Sequence, residues 1–239
     1  MRIAMWSGPR NLSTAMMYAF AARGDCAVVD EPFYAAYLAR TGLNHPMREE
    51  ILASQPQEPE EVIGALLGPV PGKKPHFYQK HMTQHMLPEI SRGWIGDVTN
   101  VFLIRHPARV AASFSAKYEA PTLADIGFVQ QFELYEQLKR EAKSPVVIDS
   151  ADIRRDPERM LRRLCEAIGL AWTPAMLSWP EGGHPDDGIW AAHWYEAVHR
   201  STGFAPAEGS LPELDAAQAA LSDAAMPYYT PLFEARISP

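Results

Sequence analysis

The sequence predicts an α/β fold of three layers, in which a central, mostly parallel sheet lies between two layers of helices. Short apolar segments alternate with helical patterns along the chain, and this alternation is typical of parallel strands joined by crossover helices. The apolar run 101–104 has no polar interruption, which is typical of a strand covered on both faces. We therefore expect that strand at the centre of the sheet.

Five segments have the length and composition of strands. They cover 2–7, 26–31, 76–80, 100–105 and 145–150. We expect the second strand to lie beside the first and the third strand to lie on the other flank of the sheet.

Helical patterns follow the first and fourth strands most clearly. The first helix has apolar residues at helical spacing from Leu12 to Phe20, and Gly24 stands just past its end. The second begins at Pro107, since proline is favoured at the first helical position. Further helices are predicted over 122–142 and 156–168, and two short ones within the surface excursion 41–74.

The bulk composition indicates a single globular domain over residues 1–239. Of the 239 residues, 47% are apolar and 21% are charged, which is ordinary for a folded protein with one sizeable core. No apolar run approaches the roughly 18 residues that a membrane span needs, and the first strand leaves no room for a secretory signal. We expect a cytoplasmic protein in which Cys26 and Cys165 are buried thiols.

The turn after the first strand, SGPRNLST (7–14), has the features of an anion site. A helix that begins just after a strand presents unpaired N–H groups and partial positive charge. Arg10 adds a fork of donors that matches phosphate or sulfonate oxygens, and Asn11, Ser13 and Thr14 add further donors. The alternative for this turn is a plain helix cap with a solvated Arg10. Because the net charge is −7, nucleic-acid binding is disfavoured and any anion site must be local.

The stretch FLIRHPARVAASF (102–114) places a second cation at a strand end. Arg105 follows a buried strand, and Ser113 stands eight positions later inside the helix that Pro107 begins. Open α/β sheets bind ligands at the carboxyl ends of their strands. The alternative is a surface arginine and an unrelated helix serine.

Together, the two stretches resemble the sulfotransferase family, whose members use 3′-phosphoadenosine 5′-phosphosulfate. In that family a loop of the type Pro-Lys/Arg-Ser-Gly-Thr-Thr binds the 5′-phosphosulfate, and an Arg followed eight positions later by a Ser binds the 3′-phosphate. Segment 9–14 stands in the first place, with Leu12 where the loop usually has glycine, and Arg105 with Ser113 stands in the second. The family's late Arg-Lys-Gly segment has no good match, and HRSTGF, with Arg200, is the nearest candidate.

The resemblance implies a P-loop NTPase-like fold and 3′-phosphoadenosine 5′-phosphosulfate as the co-substrate. The residues that it assigns to donor binding are Arg10, Asn11, Leu12, Ser13, Thr14, Arg105, Ser113 and Arg200.

Sulfuryl transfer to a hydroxyl requires a group that takes the proton. Glu31, in VVDEPFY, resembles the catalytic carboxylate that some branches of the family carry in a Pro-Glu or Glu-Pro turn. The alternative is that Asp30 and Glu31 are turn residues. A carboxylate is a poor base near neutrality unless burial raises its pKa, whereas the pKa of a histidine is already suited.

Three further candidates, Lys80, His81 and His85, lie in YQKHMTQHML. The cytosolic branch of the family has a Lys, one spacer and a His after the third strand, and here His81 follows Lys80 directly. Lys80 could stabilise charge on the leaving oxygen. If a helix begins at residue 81, His81 and His85 share a face, but no third ligand accompanies them and we expect no metal site. We favour Glu31 as the base, supported by Lys80 and one histidine.

We expect an enzyme that transfers a sulfuryl group to a hydroxyl or amine of a small-molecule acceptor, with no metal and no nucleic-acid or membrane partner. One alternative is a noncatalytic protein that binds adenosine 3′,5′-bisphosphate. Another is a small-molecule kinase, which the absence of the pattern G-x-x-x-x-G-K-[ST] disfavours. The sequence identifies neither the acceptor nor the oligomeric state.

Overall fold

The computed structural model describes residues 1–115 and 121–238. Within those residues, parallel strands form a sheet at the centre of the protein. The strands are β1 (Arg2–Ser7), β2 (Cys26–Asp30), β3 (His76–Met82), β4 (Thr99–Ile104) and β5 (Val146–Asp149). The predicted strands and the predicted α/β fold class are confirmed.

The strand order across the sheet is β2-β3-β1-β4-β5. The central strand is therefore β1, and the expectation that 101–104 occupies the centre is wrong by one place. β4 is nevertheless covered by strands on both sides, because it pairs with β1 and with β5. Its uninterrupted apolar sequence reflects full burial of Val101, Phe102 and Leu103.

β3 lies between β1 and β2, so the expected placement of the second strand beside the first is wrong, and so is the expected placement of the third strand on the other flank. In the parallel register, Lys80 of β3 is aligned with Asp30 of β2 and with Met5 of β1. Strand order thus brings the lysine at the end of β3 next to the acidic pair at the end of β2.

Helices cover both faces of this sheet. They are α1 (Ser13–Ala21), α2 (Tyr34–Thr41), α3 (Arg48–Ser54), α4 (Pro59–Leu67), α5 (Pro107–Ser115), α6 (Phe128–Arg140), α7 (Ser150–Arg155), α8 (Pro157–Ile168), α9 (Ala191–Trp194), α10 (Glu196–His199) and α11 (Ala216–Glu234). Short 3-10 turns lie at Pro71–Lys73, Thr83–His85, Gly93–Asp97 and Pro174–Leu177. None of the helices in the described ranges is long and apolar enough to cross a membrane.

The ends of the predicted helices follow from local chemistry. α8 begins after Asp156, whose side chain accepts a hydrogen bond from the backbone N–H of Arg159 at 3.1 Å, and it ends at Gly169 with φ 70°. The helix predicted over 122–142 begins only at Phe128, because Gly127 before it has φ 70°. His81 is the second-last residue of β3, so the expected helical face shared by His81 and His85 is wrong.

The two faces of the sheet carry separate hydrophobic clusters. Trp6 and Phe102 point to the cluster that includes side chains of α5, α6 and α11. Met5 and Val101 point to the cluster that includes side chains of α1 and α8. This alternation is the period of two that strands impose, and it produces the three layers. Cys26 and Cys165 are both buried and both free thiols, as expected.

Candidate active site

A cavity of about 340 Å³ lies at the carboxyl edge of the sheet. Parallel strands all end at the same edge, so the residues that follow them converge there. The predicted site residues that line the cavity are Arg10, Asn11, Leu12, Ser13, Thr14, Glu31, Lys80, His85, Arg105 and Ser113. Of the predicted residues, His81 and Arg200 are not brought to it.

The loop between β1 and α1 has a left-handed backbone at two positions. Arg10 has φ 60° and Leu12 has φ 56°, a region that glycine adopts most readily. Leu12 therefore keeps the glycine-like turn although it carries a side chain. α1 begins at Ser13 without a side-chain cap on its first N–H groups, and residues 12–15 line the cavity. The Asn11 side-chain amide donates to the Leu103 carbonyl oxygen at 2.6 Å and ties the loop to β4.

The two motif arginines meet at this loop, Arg10 within it and Arg105 from the end of β4. Arg10 Nε donates to Ser113 Oγ at 2.9 Å, and Arg105 Nη1 donates to the backbone carbonyl of Arg10. Burial lowers the pKa of Arg10, and the positive charge of Arg105 lowers it further. The two guanidinium groups bring two positive charges to this end of the cavity, which favours an anion there.

Near the carboxyl ends of β2 and β3, Lys80 forms the centre of a buried ionic cluster. Lys80 Nζ lies 2.7 Å from Asp30 Oδ1, 2.7 Å from Glu31 Oε1 and 2.5 Å from the hydroxyl oxygen of Tyr195. An ammonium group has three N–H donors, and these three acceptors use all of them. Burial lowers the pKa of Lys80, but the adjacent Asp30 and Glu31 carboxylates outweigh it and the net shift is upward. Lys80 therefore remains charged.

Asp30 is the more completely bonded of the two carboxylates. Besides Lys80, it accepts the Tyr195 hydroxyl at 2.8 Å and the Gly188 backbone N–H at 3.0 Å, both at Oδ2. Its side chain is 1% exposed. These donors satisfy both oxygens, so Asp30 acts as the fixed counter-ion of Lys80.

Glu31 presents its carboxylate to the cavity. Its side-chain contacts with Lys80 and with the Tyr195 hydroxyl, the latter at 3.2 Å, are both made by Oε1. Burial raises the pKa of Glu31, while Lys80 opposes the rise and Asp30 adds to it. The residue has φ 40°, a strained backbone for a side chain larger than glycine. Such strain at a cavity wall is typical of a functional position.

Tyr195 joins the Lys80 cluster, a contact that the sequence did not predict. Its hydroxyl accepts from Lys80 and from Trp190 Nε1 at 3.0 Å, and it can donate to Asp30. Tyr195 stands 115 residues after Lys80 in a short turn between α9 and α10. No motif marks it, and only the packing of the C-terminal third against the sheet edge brings it to the cluster.

His85 lies in the aromatic wall of the cavity. Its ring stacks on Tyr34 at 4.6 Å and on Tyr37 at 4.8 Å between ring centroids. Burial lowers the pKa of His85 well below its ordinary value, and the nearby His45 and Lys80 lower it further. A histidine with this pKa is neutral at neutral pH and has little tendency to accept a proton.

His81 packs on the other side of β3. Its ring stacks on Trp6 with centroids 4.4 Å apart, and its Nε2 is 3.3 Å from Gln79 Oε1. Burial lowers the pKa of His81 to about 3. The structure therefore gives His81 the surroundings of a core residue.

Arg200 lies on the protein surface. It is exposed and forms an ion pair with Glu196 one helical turn earlier. Its side chain is not part of the cavity lining, so it does not take the place that the late segment of the family would have. Within the described residues, no group of three or more His, Cys, Asp or Glu side chains is placed to hold a metal ion.

Comparison with known proteins gives one family and a matching fold. A family model described as a sulfotransferase domain matches residues 1–236. The sulfotransferase domain from the curacin biosynthetic pathway has 14% sequence identity and a TM-score of 0.54, over 93% of this chain and 96% of that one. A sulfotransferase from Alicyclobacillus acidocaldarius has 14% identity and a TM-score of 0.51, over 77% and 86%. At these identities the likeness to solved structures shows the fold alone.

Two plant proteins are more similar in sequence. They are the branched-chain-amino-acid aminotransferase-like proteins 2 and 1 of Arabidopsis thaliana, which are 37% and 38% identical to this chain over 202 residues. The match covers 84% of this chain and 36% of each relative. The chain thus spans about a third of the length of these relatives.

Proposed function

Because this chain belongs to the sulfotransferase domain family, we propose that it transfers a sulfuryl group from 3′-phosphoadenosine 5′-phosphosulfate to a hydroxyl or amine of a small acceptor. One observation carries the proposal. The cationic loop at Arg10, the Arg105 and Ser113 pair and the carboxylate of Glu31 all line a single cavity.

The residues present fit an adenosine donor with two phosphorylated ends. Arg10 and the first N–H groups of α1 suit the phosphosulfate, because a helix N-terminus and a guanidinium both favour anions. Arg105, whose guanidinium lies against the backbone of the same loop, suits the 3′-phosphate together with Ser113. The left-handed Leu12 supports this assignment, since it has the backbone conformation that glycine adopts most readily at the place where the family's loop usually has glycine.

The donor supplies an activated sulfuryl group whose bond to the phosphate oxygen breaks during transfer. Glu31 takes the proton that the acceptor hydroxyl loses as its oxygen forms the new bond to sulfur. Lys80 is a positioning residue in this scheme, because its three donors are committed to Asp30, Glu31 and Tyr195. It holds Glu31 Oε1, which leaves Oε2 for the acceptor. This assignment replaces the expected contact of Lys80 with the leaving oxygen.

The acceptor end of the cavity has an aromatic wall. Tyr34, Tyr37 and Trp194 line it together with Val198 and Met82. Apolar and aromatic surfaces bind apolar groups by removing both from water. We therefore propose an acceptor that carries its hydroxyl or amine on an apolar body.

The aminotransferase-like name of the plant relatives does not change this proposal. The chain matches only 36% of each of them, and the name describes those proteins. An aminotransferase holds its cofactor on a lysine as a Schiff base, whereas Lys80 is 1% exposed and bonded to two carboxylates. Transamination of branched-chain amino acids is a simple control assay.

The test is whether the site distinguishes nucleotides by their 3′-phosphate. Adenosine 3′,5′-bisphosphate should raise the melting temperature well above the value reached with 5′-AMP at the same concentration, because ligand binding stabilises the folded state. Arg105→Ala should reduce the difference, since it deletes a charge-assisted contact of about 1.5–3 kcal/mol. Equal shifts for the two nucleotides in the wild type would contradict the assignment.

Catalysis needs a separate measurement. Sulfuryl transfer from the labelled donor to a panel of apolar alcohols and amines distinguishes an enzyme from a protein that only binds the bisphosphate. Binding without turnover of any acceptor would favour the noncatalytic alternative.

A further inference from the structure

Next to the cavity, three arginines of the described chain converge on one carboxylate. Arg105 Nη2 donates to Glu208 Oε1, Arg154 Nη1 lies 2.7 Å from the same oxygen, and Arg109 Nε lies 3.1 Å from Glu208 Oε2. The Glu208 side chain is only 5% exposed. We call Arg105, Arg109 and Arg154 the triple-arginine site.

Glu208 belongs to a coil that is fixed at both ends. The coil 204–214 begins after Gly203, which forms a bridge with Ser178, and ends at Asp215, which caps α11. The residues on either side of Glu208, 205–207 and 209–211, are exposed. The buried carboxylate is therefore the anchor that holds the middle of the coil to the protein.

The same arginines also hold the backbone of the coil. Arg154 Nε donates to the Pro206 carbonyl oxygen at 2.8 Å, and Arg109 Nη2 donates to the Gly209 carbonyl oxygen. A change in the partner of these arginines would therefore release the coil as well as Glu208.

The charges of this cluster do not balance. Three guanidinium groups face one carboxylate, which leaves two formal positive charges unmatched among these four side chains. A phosphate monoester carries a charge of about −1.5 to −2 near neutrality and three acceptor oxygens, and arginine forks match phosphate oxygens well. A phosphate therefore suits three arginines better than one carboxylate does.

The triple-arginine site adjoins the proposed donor site. Arg105 lines the cavity, and so do Gly203 and Ala205 at the start of the coil. An anion that enters the cavity and reaches Arg105 thus meets the guanidinium that Glu208 already occupies. Two anions cannot share these donors without strong repulsion.

We propose that Arg109 and Arg154 join Arg105 in binding the 3′-phosphate of the donor, and that the Glu208 carboxylate competes with this phosphate for the arginines. The identity of the ligand rests on the proposed function. Donor binding then displaces Glu208 and frees the coil 204–214. Arg109 and Arg154 take the role that the exposed Arg200 cannot take.

The test uses the full chain and two nucleotides, adenosine 3′,5′-bisphosphate and adenosine 5′-phosphosulfate, which has no 3′-phosphate. Glu208→Gln removes the competing charge and should tighten binding of the bisphosphate about 10-fold, because a competing closed state weakens apparent affinity by its population. Affinity for adenosine 5′-phosphosulfate should stay the same. Glu213→Gln, an exposed residue of the same coil, is the matched control and should change neither affinity.

Two further measurements report on the arginines and on the coil. Arg154→Gln should weaken binding of the bisphosphate about 10-fold, because a charge-assisted hydrogen bond is lost. The affinity for adenosine 5′-phosphosulfate should not change. In the wild type, backbone amides of 204–214 should exchange hydrogen faster when the bisphosphate is bound.

The opposite results overturn the inference. If Glu208→Gln weakens or does not change bisphosphate binding, Glu208 is a permanent support for Arg105 and not a competitor. If the bisphosphate binds while amides of 204–214 keep or gain protection, the coil is not displaced. In both cases the proposed function survives, because the nucleotide still binds.

A separate measurement, with inorganic phosphate, tests the inference if the proposed function is wrong. If no variant binds the bisphosphate, that function fails, and inorganic phosphate then decides the inference alone. Phosphate should raise the melting temperature of Glu208→Gln more than that of Glu213→Gln. Equal increases would overturn the role of Glu208.

Discussion

Burial decides which side chain at the site is suited to accept a proton. By their ordinary pKa values, histidines are better bases near neutrality than a glutamate. Here burial lowers the pKa of both His81 and His85 and raises the pKa of Glu31. The order of basicity is therefore shifted toward the glutamate, which also lines the cavity.

We predict that Glu31→Gln lowers single-turnover sulfuryl transfer by about 100-fold or more, within the range of a general base. Glutamine can still accept from Lys80, so the affinity for the donor should be retained and is measured separately. Because the pKa of Glu31 is raised from its ordinary value of 4.5, Glu31 becomes protonated at a higher pH than a free glutamate does. The rate of the wild type should therefore begin to fall above pH 4.5 as the pH is lowered. A near-normal rate for Glu31→Gln with an inactive His85→Asn would reverse the assignment.

His81 contributes to the pH dependence of stability. Its pKa is about 3 in the folded protein, against about 6.5 for an unfolded histidine. As the pH falls, the unfolded chain therefore binds the proton before the folded chain does. The contribution of His81 to the free energy of unfolding is complete above about pH 6.5 and is lost as the pH falls toward 3.

We predict that His81→Gln makes the free energy of unfolding less dependent on pH between about 6.5 and 5. The wild type should lose about 2 kcal/mol over that range through His81 alone, at 1.36 kcal/mol for each pKa unit. Denaturant unfolding at a series of pH values measures the slope. His193→Gln, at an exposed position, should leave the slope unchanged, and an unchanged slope for His81→Gln as well would refute the role of His81.

The loop between β1 and α1 depends on close backbone packing. At Gly8, a Cβ atom would lie 2.5 Å from the carbonyl oxygen of Ile126, just before α6. A backbone atom cannot move aside as a flexible side chain can. Gly8 is therefore needed for the approach of two backbones, which sets the position of Arg10.

We predict that Gly8→Ala lowers the free energy of unfolding by about 1–3 kcal/mol, the range for overpacking, and weakens binding of adenosine 3′,5′-bisphosphate. The control is Gly64→Ala in α4, where a Cβ would meet no atom within 4 Å. Gly64→Ala should raise the free energy of unfolding by about 0.5–1 kcal/mol, because alanine favours a helix more than glycine does. Thermal and denaturant unfolding compare the two, and equal effects would contradict the packing argument.

At the scale of the whole molecule, the N-terminal and C-terminal parts share a hydrophobic cluster. A single hydrophobic cluster extends from Ala4 in β1 to Leu232 in α11. The C-terminal third also reaches the sheet edge through Tyr195, whose hydroxyl joins the Lys80 cluster. On these contacts we propose that the chain is a single domain.

We predict one cooperative unfolding transition for the chain. Peptides from β1 and from α11 should lose hydrogen-exchange protection over the same denaturant range, because both elements bury apolar side chains in the same hydrophobic cluster. Two separate transitions would divide the chain into independent units.

Tyr195→Phe should lower the free energy of unfolding by about 1–3 kcal/mol, because it leaves buried partners of the hydroxyl unsatisfied. The transition should remain single. Tyr228→Phe, at a half-buried position that packs on Phe132, is the control and should change stability by less than about 0.5 kcal/mol. Equal losses for the two variants would deny the hydroxyl of Tyr195 a structural role.

The sequence by itself determined the features that depend on neighbouring residues. Hydrophobic periodicity located the strands, Asp156 and Gly169 set the ends of α8, and the loop with Arg10 and the Arg105 motif indicated an anion site. These signals are local, because caps, turns and strand composition act over a few residues. They were sufficient for the fold class and for the family.

Only the tertiary structure decided the features that depend on distant parts of the chain. Buried strands resemble one another in composition, so the sequence did not show that β3 separates β1 from β2 and places Lys80 beside Glu31. Tyr195 and Glu208 reach the site from coils that carry no motif. The pKa values of His81 and Glu31 follow burial, which is a property of the packed molecule, and desolvation acts on a charge whatever its neighbours in sequence are.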